Sequence, residues 1–295
     1  MSATATGLVT AAWRRHYAVR LEGGETIRCV LRGRHLAVAC GDSVRVALGA
    51  DGEGAINAVE PRRTLLFRSD AHREKLIAAN VTQILGIVAP DPPYDDELVQ
   101  RWIVAAESND CAFALIANKS DLPGFAAIEP RLGACSALGY RVVRLSAKFD
   151  ASPVRDLVAG QKSALVGQSG MGKSTLINAL APESGARVGD VSTALRAGRH
   201  TTSETTLYPL DGQSWMVDSP GMKAFGLAHL SAEAIAHGFV ELRPLYGKCR
   251  FRDCRHATEP GCAVQAAVAR GEVMPWRVAL LQRLLADSER RARTW

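Results

Sequence analysis

GQSGMGKST, at residues 167–175, lies between an apolar run at 162–166 and a second one at 176–180. Strand, glycine-rich turn and helix in that order form the setting of G-x-x-x-x-G-K-[ST], whose backbone N–H groups surround phosphates. Its glycines allow positive φ and a close approach to an anion. The predicted phosphate contacts are Gly167, Gln168, Ser169, Gly170, Met171, Gly172, Lys173, Ser174 and Thr175. We expect Lys173 to pair with the β- and γ-phosphates and the Ser174 hydroxyl to bind Mg²⁺. The alternative is a glycine-rich turn that matches by chance.

A second motif, Asn118-Lys119-Ser120-Asp121, follows the apolar run at 111–117. It therefore lies at the carboxyl end of a predicted strand, where open α/β sheets bind ligands. The Asp121 carboxylate can accept two hydrogen bonds from guanine, whereas adenine offers no such donor pair. We expect Asn118 to brace the loop and the Lys119 stem to cover the base. An ordinary polar turn is the alternative.

A third segment, Ser146-Ala147-Lys148, follows the predicted strand 141–145 and can offer a backbone N–H to the guanine oxygen. All these base-reading segments precede the phosphate loop, whereas GTPases ordinarily place them after it. The chain is therefore predicted to be circularly permuted, which folded domains tolerate because their termini often lie close together. The switch regions then lead directly into the next domain.

The amino-acid composition is typical of a globular protein. With 295 residues, 47% hydrophobic and 22% charged, the chain has room for two or three domains. No apolar run approaches the ~20 residues of a membrane span. We therefore predict a cytoplasmic protein without membrane contact. Its seven cysteines are odd in number, which suits reduced thiols and a metal better than a disulfide framework.

Positive charge is concentrated on the two flanks. Residues 1–65 carry 9 basic and 6 acidic side chains, residues 66–240 carry 16 and 18, and residues 241–295 carry 11 and 6. The flanks are thus candidate contacts for a polyanion. A solvated basic surface is the alternative.

Five short strands are predicted in the first sixty residues, at 7–12, 17–21, 26–31, 43–48 and 55–59. Short strands separated by glycine-rich turns indicate a small closed barrel, and the OB-fold is the expected type. Basic and aromatic residues of this region form a candidate RNA surface, with a structural tryptophan among scattered arginines as the alternative. These residues are Trp13, Arg14, Arg15, His16, Tyr17, Arg28, Arg32 and Arg34.

The central region alternates between strands and helices. A linker is predicted over residues 61–75, followed by strands at 81–89, 111–117, 141–145 and 162–166. Helices are predicted at 97–106 and 153–159, with a partly helical stretch at 126–138. This alternation predicts an α/β domain with a mainly parallel sheet and helices on both faces.

The segments after the phosphate loop predict the two switches. Residues 182–202 are rich in Gly, Ser, Thr and Arg, and Thr202 is favoured slightly over Thr201 as a magnesium ligand. Next, Asp218-x-x-Gly221 is expected to hold magnesium through water and to contact the γ-phosphate. Met222 follows, where many GTPases carry glutamine, so intrinsic hydrolysis is expected to be slow. His200 is a candidate for positioning water, and a loop residue that binds a partner is the alternative.

A metal site is predicted near the C-terminus. Cys249, Cys254, His256 and Cys262 supply three thiolates and an imidazole within fourteen residues, a full tetrahedral set for one structural Zn²⁺. Arg250, Arg252 and Arg255 lie between these ligands. The remaining cysteines are expected in the core: Cys29, Cys40, Cys111 and Cys135. Helices are predicted at 263–269 and 276–293.

Taken together, these motifs resemble the ribosome small subunit-dependent GTPase A family (RsgA, also called YjeQ). The resemblance covers nearly the whole chain, and it rests on the permuted order and on the C-x4-C-x-H-x5-C spacing. It implies an OB-fold, a permuted GTPase domain and a zinc domain that act in late maturation of the small ribosomal subunit. It also implies binding of ribosomal RNA and GTP hydrolysis stimulated by that subunit. Met222 agrees with the family's hydrophobic residue after the glycine.

The sequence thus predicts a multi-domain protein with three parts. Residues 1–63 form an all-β OB-fold barrel that binds RNA, residues 64–230 a circularly permuted α/β P-loop GTPase domain, and residues 231–295 an α-helical zinc-binding domain. The predicted catalytic residues are Lys173, His200, Thr202, Asp218 and Gly221, with Mg²⁺ held by Ser174, Thr202 and Asp218. The partners are GTP or GDP, the small ribosomal subunit and its RNA, and the chain is expected to be a monomer. Two alternatives remain: a GTP-regulated RNA-binding zinc protein with little turnover, and a nucleic-acid-binding zinc protein with an ATPase-type loop.

Overall fold

The fold is that of a computed structural model, which describes residues 4–13, 16–32, 36–49, 52–70, 73–182, 205–218, 227 and 230–292. The regular elements are distributed over a barrel, a central sheet with its helices, and a C-terminal helical unit. None of the helices within these ranges is long and apolar enough to cross a membrane.

A five-stranded barrel forms the N-terminal part. Its strands run in the order β1-β2-β3-β5-β4, and β1 also pairs with β4 and closes the barrel, which is the strand order of an OB-fold. The strands are β1 (Thr4–Trp13), β2 (His16–Leu21), β3 (Thr26–Leu31), β4 (Ser43–Leu48) and β5 (Gly54–Val59). Alternate side chains point inward and pack a separate apolar core around Val9, Val44 and Ile56. All five predicted strands are confirmed.

The predicted basic and aromatic surface of the barrel needs one correction. Tyr17 is only 7% exposed and belongs to the barrel core, because it occupies an inward position of β2. Arg28 and Arg32 are exposed as expected. Arg14, Arg15 and Arg34 lie outside the described residues.

The central sheet continues in the order β10-β9-β8-β11-β13-β12. All neighbouring pairs from β10 to β13 are parallel, and β12 is antiparallel to β13. The mainly parallel sheet is therefore confirmed. Its strands are β8 (Gln83–Val88), β9 (Ala112–Ala117), β10 (Arg141–Arg144), β11 (Lys162–Val166), β12 (Thr205–Asp211) and β13 (Ser214–Asp218). The helices are α1 (Asp96–Glu107), α2 (Glu129–Ala137), α3 (Ser152–Val158) and α4 (Lys173–Leu180), with a 3-10 helix at Pro123–Ile128.

The predicted linker over residues 61–75 is wrong. A two-stranded hairpin occupies most of it, formed by β6 (Leu65–Asp70) and β7 (Arg73–Ala79). The physical reason is that Leu66, Ile77 and Ala78 are buried in the central core, so that this segment packs against the sheet. The Ala79 N–H also donates to the Cys40 carbonyl at 2.8 Å, which attaches the hairpin to the barrel.

The barrel and the central sheet share one strand. β1 pairs with β4 over residues 4–8 and then with β12 through Ala11 and Ala12, which lie opposite Thr206 and Thr205. The β1–β2 pairing has a register shift between Val9 and Ala11, where the other edge of β1 changes its partner from β4 to β12. Such a shift is expected for a β-bulge that bends a strand. The result is one continuous 11-stranded sheet.

The C-terminal unit packs on α1. It comprises α5 (Ala232–His237), a 3-10 helix (Val240–Leu245), α6 (Ala263–Ala269) and α7 (Pro275–Ala292). Its apolar residues, among them Leu281 and Leu284, belong to the same core cluster as those of α1. The Arg277 guanidinium, in a residue only 4% exposed, pairs with Glu241 at 2.5 Å and donates to the Gln100 side chain. The GTPase core and the C-terminal unit therefore share one hydrophobic core and a buried polar network.

Candidate nucleotide site and metal centre

The glycine-rich loop connects β11 to α4, as predicted. Gly172 is the N-cap of α4 and has φ 95°, and Gly170 has φ 82°. Gly167 does not have positive φ, which corrects that part of the prediction. A Cβ on Gly167 would lie 2.5 Å from Ile87 Cγ2 and 2.7 Å from the Ile87 carbonyl oxygen. Glycine is required at Gly167 because the chain passes close to β8, and at Gly170 and Gly172 because of their left-handed backbone.

Asn118 joins three sequence motifs. Its side chain, in a residue 3% exposed, donates through Nδ2 to the Met171 carbonyl at 2.8 Å and accepts through Oδ1 from the Ala147 N–H at 2.8 Å. A Cβ on Gly172 would lie 2.2 Å from Asn118 Nδ2, so only glycine fits beside it. The predicted brace is confirmed geometrically, because one buried amide links residues 118–121, 146–147 and 167–175.

The base-reading segment is held in a fixed arrangement. The Ser146 hydroxyl donates to the Asp121 carboxylate and lowers its pKa below the ordinary value, so that Asp121 is ionised at neutral pH. The Ser120 N–H donates to the Leu145 carbonyl at 3.1 Å. Lys119 has a left-handed backbone (φ 61°), and its Nζ donates to the Asp91 carbonyl at 2.5 Å. An ionised acceptor thus lies beside an anchored lysine stem.

Lys173 and Asp218 lie at the phosphate end of the site. The Lys173 Nζ donates to the carbonyls of Gly167 and Gln168 at 2.7 and 2.9 Å, so its ammonium lies over the loop. Asp218 ends β13 opposite Leu165 of β11, immediately before the loop begins. Ser174 lies in the first turn of α4. A hydroxyl and a carboxylate are oxygen donors of the kind Mg²⁺ prefers, so these residues fit that ion.

The predicted switch residues cannot be placed. His200, Thr201, Thr202, Gly221 and Met222 lie outside the described residues, and so does the rest of 183–204 and 219–226. Their roles remain predictions.

One part of the site was not found from the sequence. The loop from Pro90 to Tyr94, between β8 and α1, lies beside the nucleotide motifs. Pro92 Cδ lies 3.1 Å from where a Cβ on Gly170 would be, and Asp91 supplies the acceptor for Lys119. The prolines of Asp91-Pro92-Pro93 indicate a turn in the sequence, but they do not indicate what that turn contacts.

The four predicted zinc ligands come together. Their donor atoms lie within 4.8 Å of one another. His256 Nδ1 is 3.6 Å from the sulfurs of Cys249 and Cys254 and 3.5 Å from that of Cys262, and the sulfurs of Cys249 and Cys262 are 4.0 Å apart. A tetrahedral zinc with ordinary bond lengths places sulfur and nitrogen ligands about 3.5 Å apart and two sulfurs about 3.8 Å apart. The donor set therefore fits Zn²⁺, with Nδ1 as the ligating nitrogen.

Two glutamines hold the backbone of His256, and a tyrosine packs on its ring. The His256 carbonyl accepts from Gln265 Nε2 and Gln282 Nε2, each at 2.6 Å, and the Tyr246 ring stacks on the imidazole with centroids 5.8 Å apart. Burial lowers the pKa of His256, which favours the neutral imidazole that a metal needs. Sequence reasoning missed both glutamines, because glutamines on two separate helices carry no local signal.

The remaining four cysteines are buried, as expected. Each of these four thiols packs in the protein interior as a small apolar group.

A circularly permuted P-loop GTPase is the class of protein that this fold and site define. The base-reading segments precede the phosphate loop in the chain, yet Asn118 brings them together at the carboxyl edge of the parallel sheet. A model of the RsgA GTPase family matches residues 59–228. The chain belongs to that family, and it is a GTP-hydrolysing enzyme.

Curated relatives and solved structures resemble nearly the whole chain. The small ribosomal subunit biogenesis GTPase RsgA of Nitrosospira multiformis is 46% identical over 282 residues, covering 95% of this chain and 90% of the relative. The protein of the same name from Bordetella pertussis is 46% identical over 289 residues, covering 96% of each. The crystal structure of YjeQ from Thermotoga maritima has a TM-score of 0.72 at 28% identity and covers 97% of this chain and 99% of that one. YloQ, described as a circularly permuted GTPase, shares the fold with a TM-score of 0.70 at 24% identity, covering 98% of this chain and 96% of its own.

Proposed function

We propose that this GTPase acts as an assembly factor in late maturation of the small ribosomal subunit, with hydrolysis stimulated by that subunit. The observation that carries the nucleotide part is the buried Asn118 amide, which connects the base-reading segments to the phosphate loop. The names of its relatives support the ribosomal part.

Guanine would be recognised by three groups. The ionised Asp121 carboxylate would accept from the two guanine donors. A backbone N–H of the segment 146–148 would donate to the guanine oxygen, other than that of Ala147, which already donates to Asn118 Oδ1. The Lys119 stem covers the base, and the anchor of its Nζ on the Asp91 carbonyl supports that position. Ser120 and Ser146 hold Asp121 and its loop in place.

The phosphates would lie over residues 167–175, with the Lys173 ammonium between the β- and γ-phosphates. Ser174, Thr202 and Asp218 would hold Mg²⁺, which would supply positive charge to the phosphates. We propose that the Gly221 N–H contacts the γ-phosphate. Since Met222 cannot orient the attacking water, His200 or a group of the ribosomal subunit would position it, which accounts for dependence on the subunit.

Ribosomal RNA would bind the basic flanks. Lys248, Arg250 and Arg252 are exposed around the metal centre, and none of the three forms an ion pair with another described residue. Phe251 lies between them with 41% of its surface exposed, so it can stack on an unpaired base. A structural zinc, held by the Cys3His set, would keep this loop rigid before it meets the RNA.

The three-part division at residues 63 and 230 is part of this proposal. So are a monomeric state and a cytoplasmic location.

Steady-state phosphate release tests the proposal. We expect slow release from GTP by the protein alone and strong stimulation by small ribosomal subunits, with large subunits and ATP as controls. Equal stimulation by both subunits, or none, would contradict the ribosomal role and favour a GTP-regulated RNA-binding protein with little turnover. Asp121→Asn should shift the preference from GTP toward xanthosine triphosphate, and an unchanged preference would contradict guanine recognition by Asp121.

A further inference from the structure

The loop Pro90–Tyr94 contacts both halves of the proposed nucleotide site. On one side, its Asp91 carbonyl accepts from the Lys119 Nζ at 2.5 Å. On the other, Pro92 lies against Gly170, where an added Cβ would approach Pro92 Cδ to 3.1 Å. The loop therefore contacts both the lysine proposed to cover the base and the phosphate loop.

A single arginine from a neighbouring helix fixes the far end of this loop. The Arg131 guanidinium, from α2, lies 3.7 Å from the centroid of the Tyr94 ring and donates to the Tyr94 carbonyl at 2.8 Å. The same side chain donates to both carboxylate oxygens of Asp96, at 2.9 and 3.0 Å. Tyr94 ends the loop, Asp95 is the N-cap of α1, and Asp96 is the first residue of that helix.

These contacts suit a positioning role better than a general contribution to stability. An Arg–carboxylate pair that is a third to a half exposed contributes little to folding by itself. Arg131, however, makes a cation–π contact and a backbone hydrogen bond to Tyr94 of the loop. It also pairs with Asp96, the first residue of α1, where its Nε–H is shared between the two carboxylate oxygens. Since loops cost conformational entropy to order, such a set of contacts holds the loop in one conformation before nucleotide binds.

We propose that Arg131 is a positioning residue for the guanine-nucleotide site, acting on Lys119 and Gly170 through the Pro90–Tyr94 loop. Arg131 itself touches neither the base-reading nor the phosphate motif. The inference rests on the proposed guanine recognition at Asp121 and on the phosphate loop. Without Arg131 the loop samples other conformations, Lys119 loses its anchor, and bound nucleotide escapes faster.

The test measures release of a fluorescent GDP from the full-length protein. Residues that act on a site through others commonly change its coupling by about 0.5–2 kcal/mol, so Arg131→Ala should release GDP about ten-fold faster. Asp96→Asn removes the carboxylate partner and should raise the rate about three-fold. Arg131→Lys keeps the cation but lacks the planar guanidinium whose separate nitrogens bond Tyr94 and Asp96, so its release rate should fall between those of wild type and Arg131→Ala.

Glu129→Gln is the matched control. It breaks the Arg144–Glu129 pair, in which both carboxylate oxygens also accept from one arginine. This pair is about as exposed as Arg131–Asp96 and also involves α2. We expect it to leave the GDP release rate unchanged. Both Asp96→Asn and Glu129→Gln should lower the midpoint of thermal unfolding to the same small extent. The KM for GTP should rise in the Arg131 variants while kcat at saturation stays at the wild-type value.

Two outcomes would overturn the proposal. One is that Arg131→Ala and Glu129→Gln release GDP at the same rate. The other is that Arg131→Ala lowers kcat and thermal stability together with no change in KM, as a purely structural role would give. Asp121→Asn distinguishes failure of this inference from failure of the proposed function. If Asp121→Asn shifts base preference while Arg131→Ala behaves as wild type, the inference fails and the proposed function stands. If it does not shift base preference, the proposed site fails and the inference with it.

Discussion

Replacing Asn118 by aspartate is a sharp test of the site, because it changes one buried atom. The Nδ2 donor becomes an oxygen that faces the Met171 carbonyl oxygen across a distance now occupied by a 2.8 Å hydrogen bond. The Oδ1 contact with the Ala147 N–H is retained. Asn118→Ala removes both contacts and is the comparison variant.

The magnitude follows from burial. A buried polar group left without its partner costs about 1–3 kcal/mol, and Asn118→Ala leaves two, at Met171 and Ala147. When about 3 kcal/mol of this cost falls on the loop arrangement that binds nucleotide, GDP binding is weakened about 100-fold. In Asn118→Asp the ionised carboxylate is worse still at neutral pH, because it is buried and repelled by a carbonyl oxygen.

The sign of the pH dependence separates the two variants. Burial and the neighbouring carbonyl raise the pKa of the introduced carboxyl, and only its protonated form can donate to Met171. GDP affinity of Asn118→Asp should therefore increase as the pH falls from 8 to 5.5, about ten-fold for each pH unit above that pKa. Wild type should show little change, because Asp121 has a lowered pKa and stays ionised over this range.

Equilibrium binding of fluorescent GDP at several pH values is the assay, with thermal unfolding of each variant as the control for folding. The reasoning is refuted if Asn118→Asp binds GDP as well as wild type at pH 8. It is equally refuted if its affinity follows that of Asn118→Ala at every pH.

Three further predictions concern other parts of the molecule. The purified protein should contain one zinc per chain, and Cys262→Ser should lose it and unfold at a lower temperature; a zinc-free protein of full stability would contradict the metal assignment. Arg277→Met leaves the buried Gln100 and the largely buried Glu241 carboxylate without their partner and should lower the free energy of unfolding by about 3–5 kcal/mol in a denaturant titration; a loss below about 1 kcal/mol, typical of an exposed pair, would contradict a buried network. Ser146→Ala should raise the pKa of Asp121 toward its ordinary value, so GDP binding should be lost at a higher pH on acidification than in wild type; identical acid profiles would show that the Ser146 hydroxyl does not hold that carboxylate ionised.

The sequence predicted the nucleotide motifs and the metal ligands because each is a local signal. Residues 118–121 and 167–175 follow apolar strands, and the carboxyl ends of parallel strands meet at one edge of a sheet. Cys249, Cys254, His256 and Cys262 lie close in the chain, so their spacing alone brings the donors within reach of one ion. The barrel strands alternate between apolar and polar residues, which fixes their inward faces.

What the sequence did not predict depends on contacts between distant segments. The β6–β7 hairpin was missed because its charged residues, from Arg68 to Lys75, resemble a linker, whereas its apolar ends are buried in the central core. The pairing of Ala11 and Ala12 with β12 leaves no trace in either segment. The burial of Arg277 was likewise unpredictable, because arginine is rarely buried and its partners Gln100 and Glu241 lie far away in the chain.

The strand shared by the barrel and the central sheet has a consequence during synthesis. Residues 4–8 of β1 find their partner in β4 early, but Ala11 must wait for Thr206, roughly 200 residues later. At about 5–20 residues per second, that interval lasts about 10–40 s. Throughout it a nascent barrel presents an unpaired backbone edge at Ala11 and Ala12, the kind of edge that recruits foreign strands. Because β12 comes so late in the permuted chain, this unpaired edge is exposed while the protein is still on the ribosome that makes it.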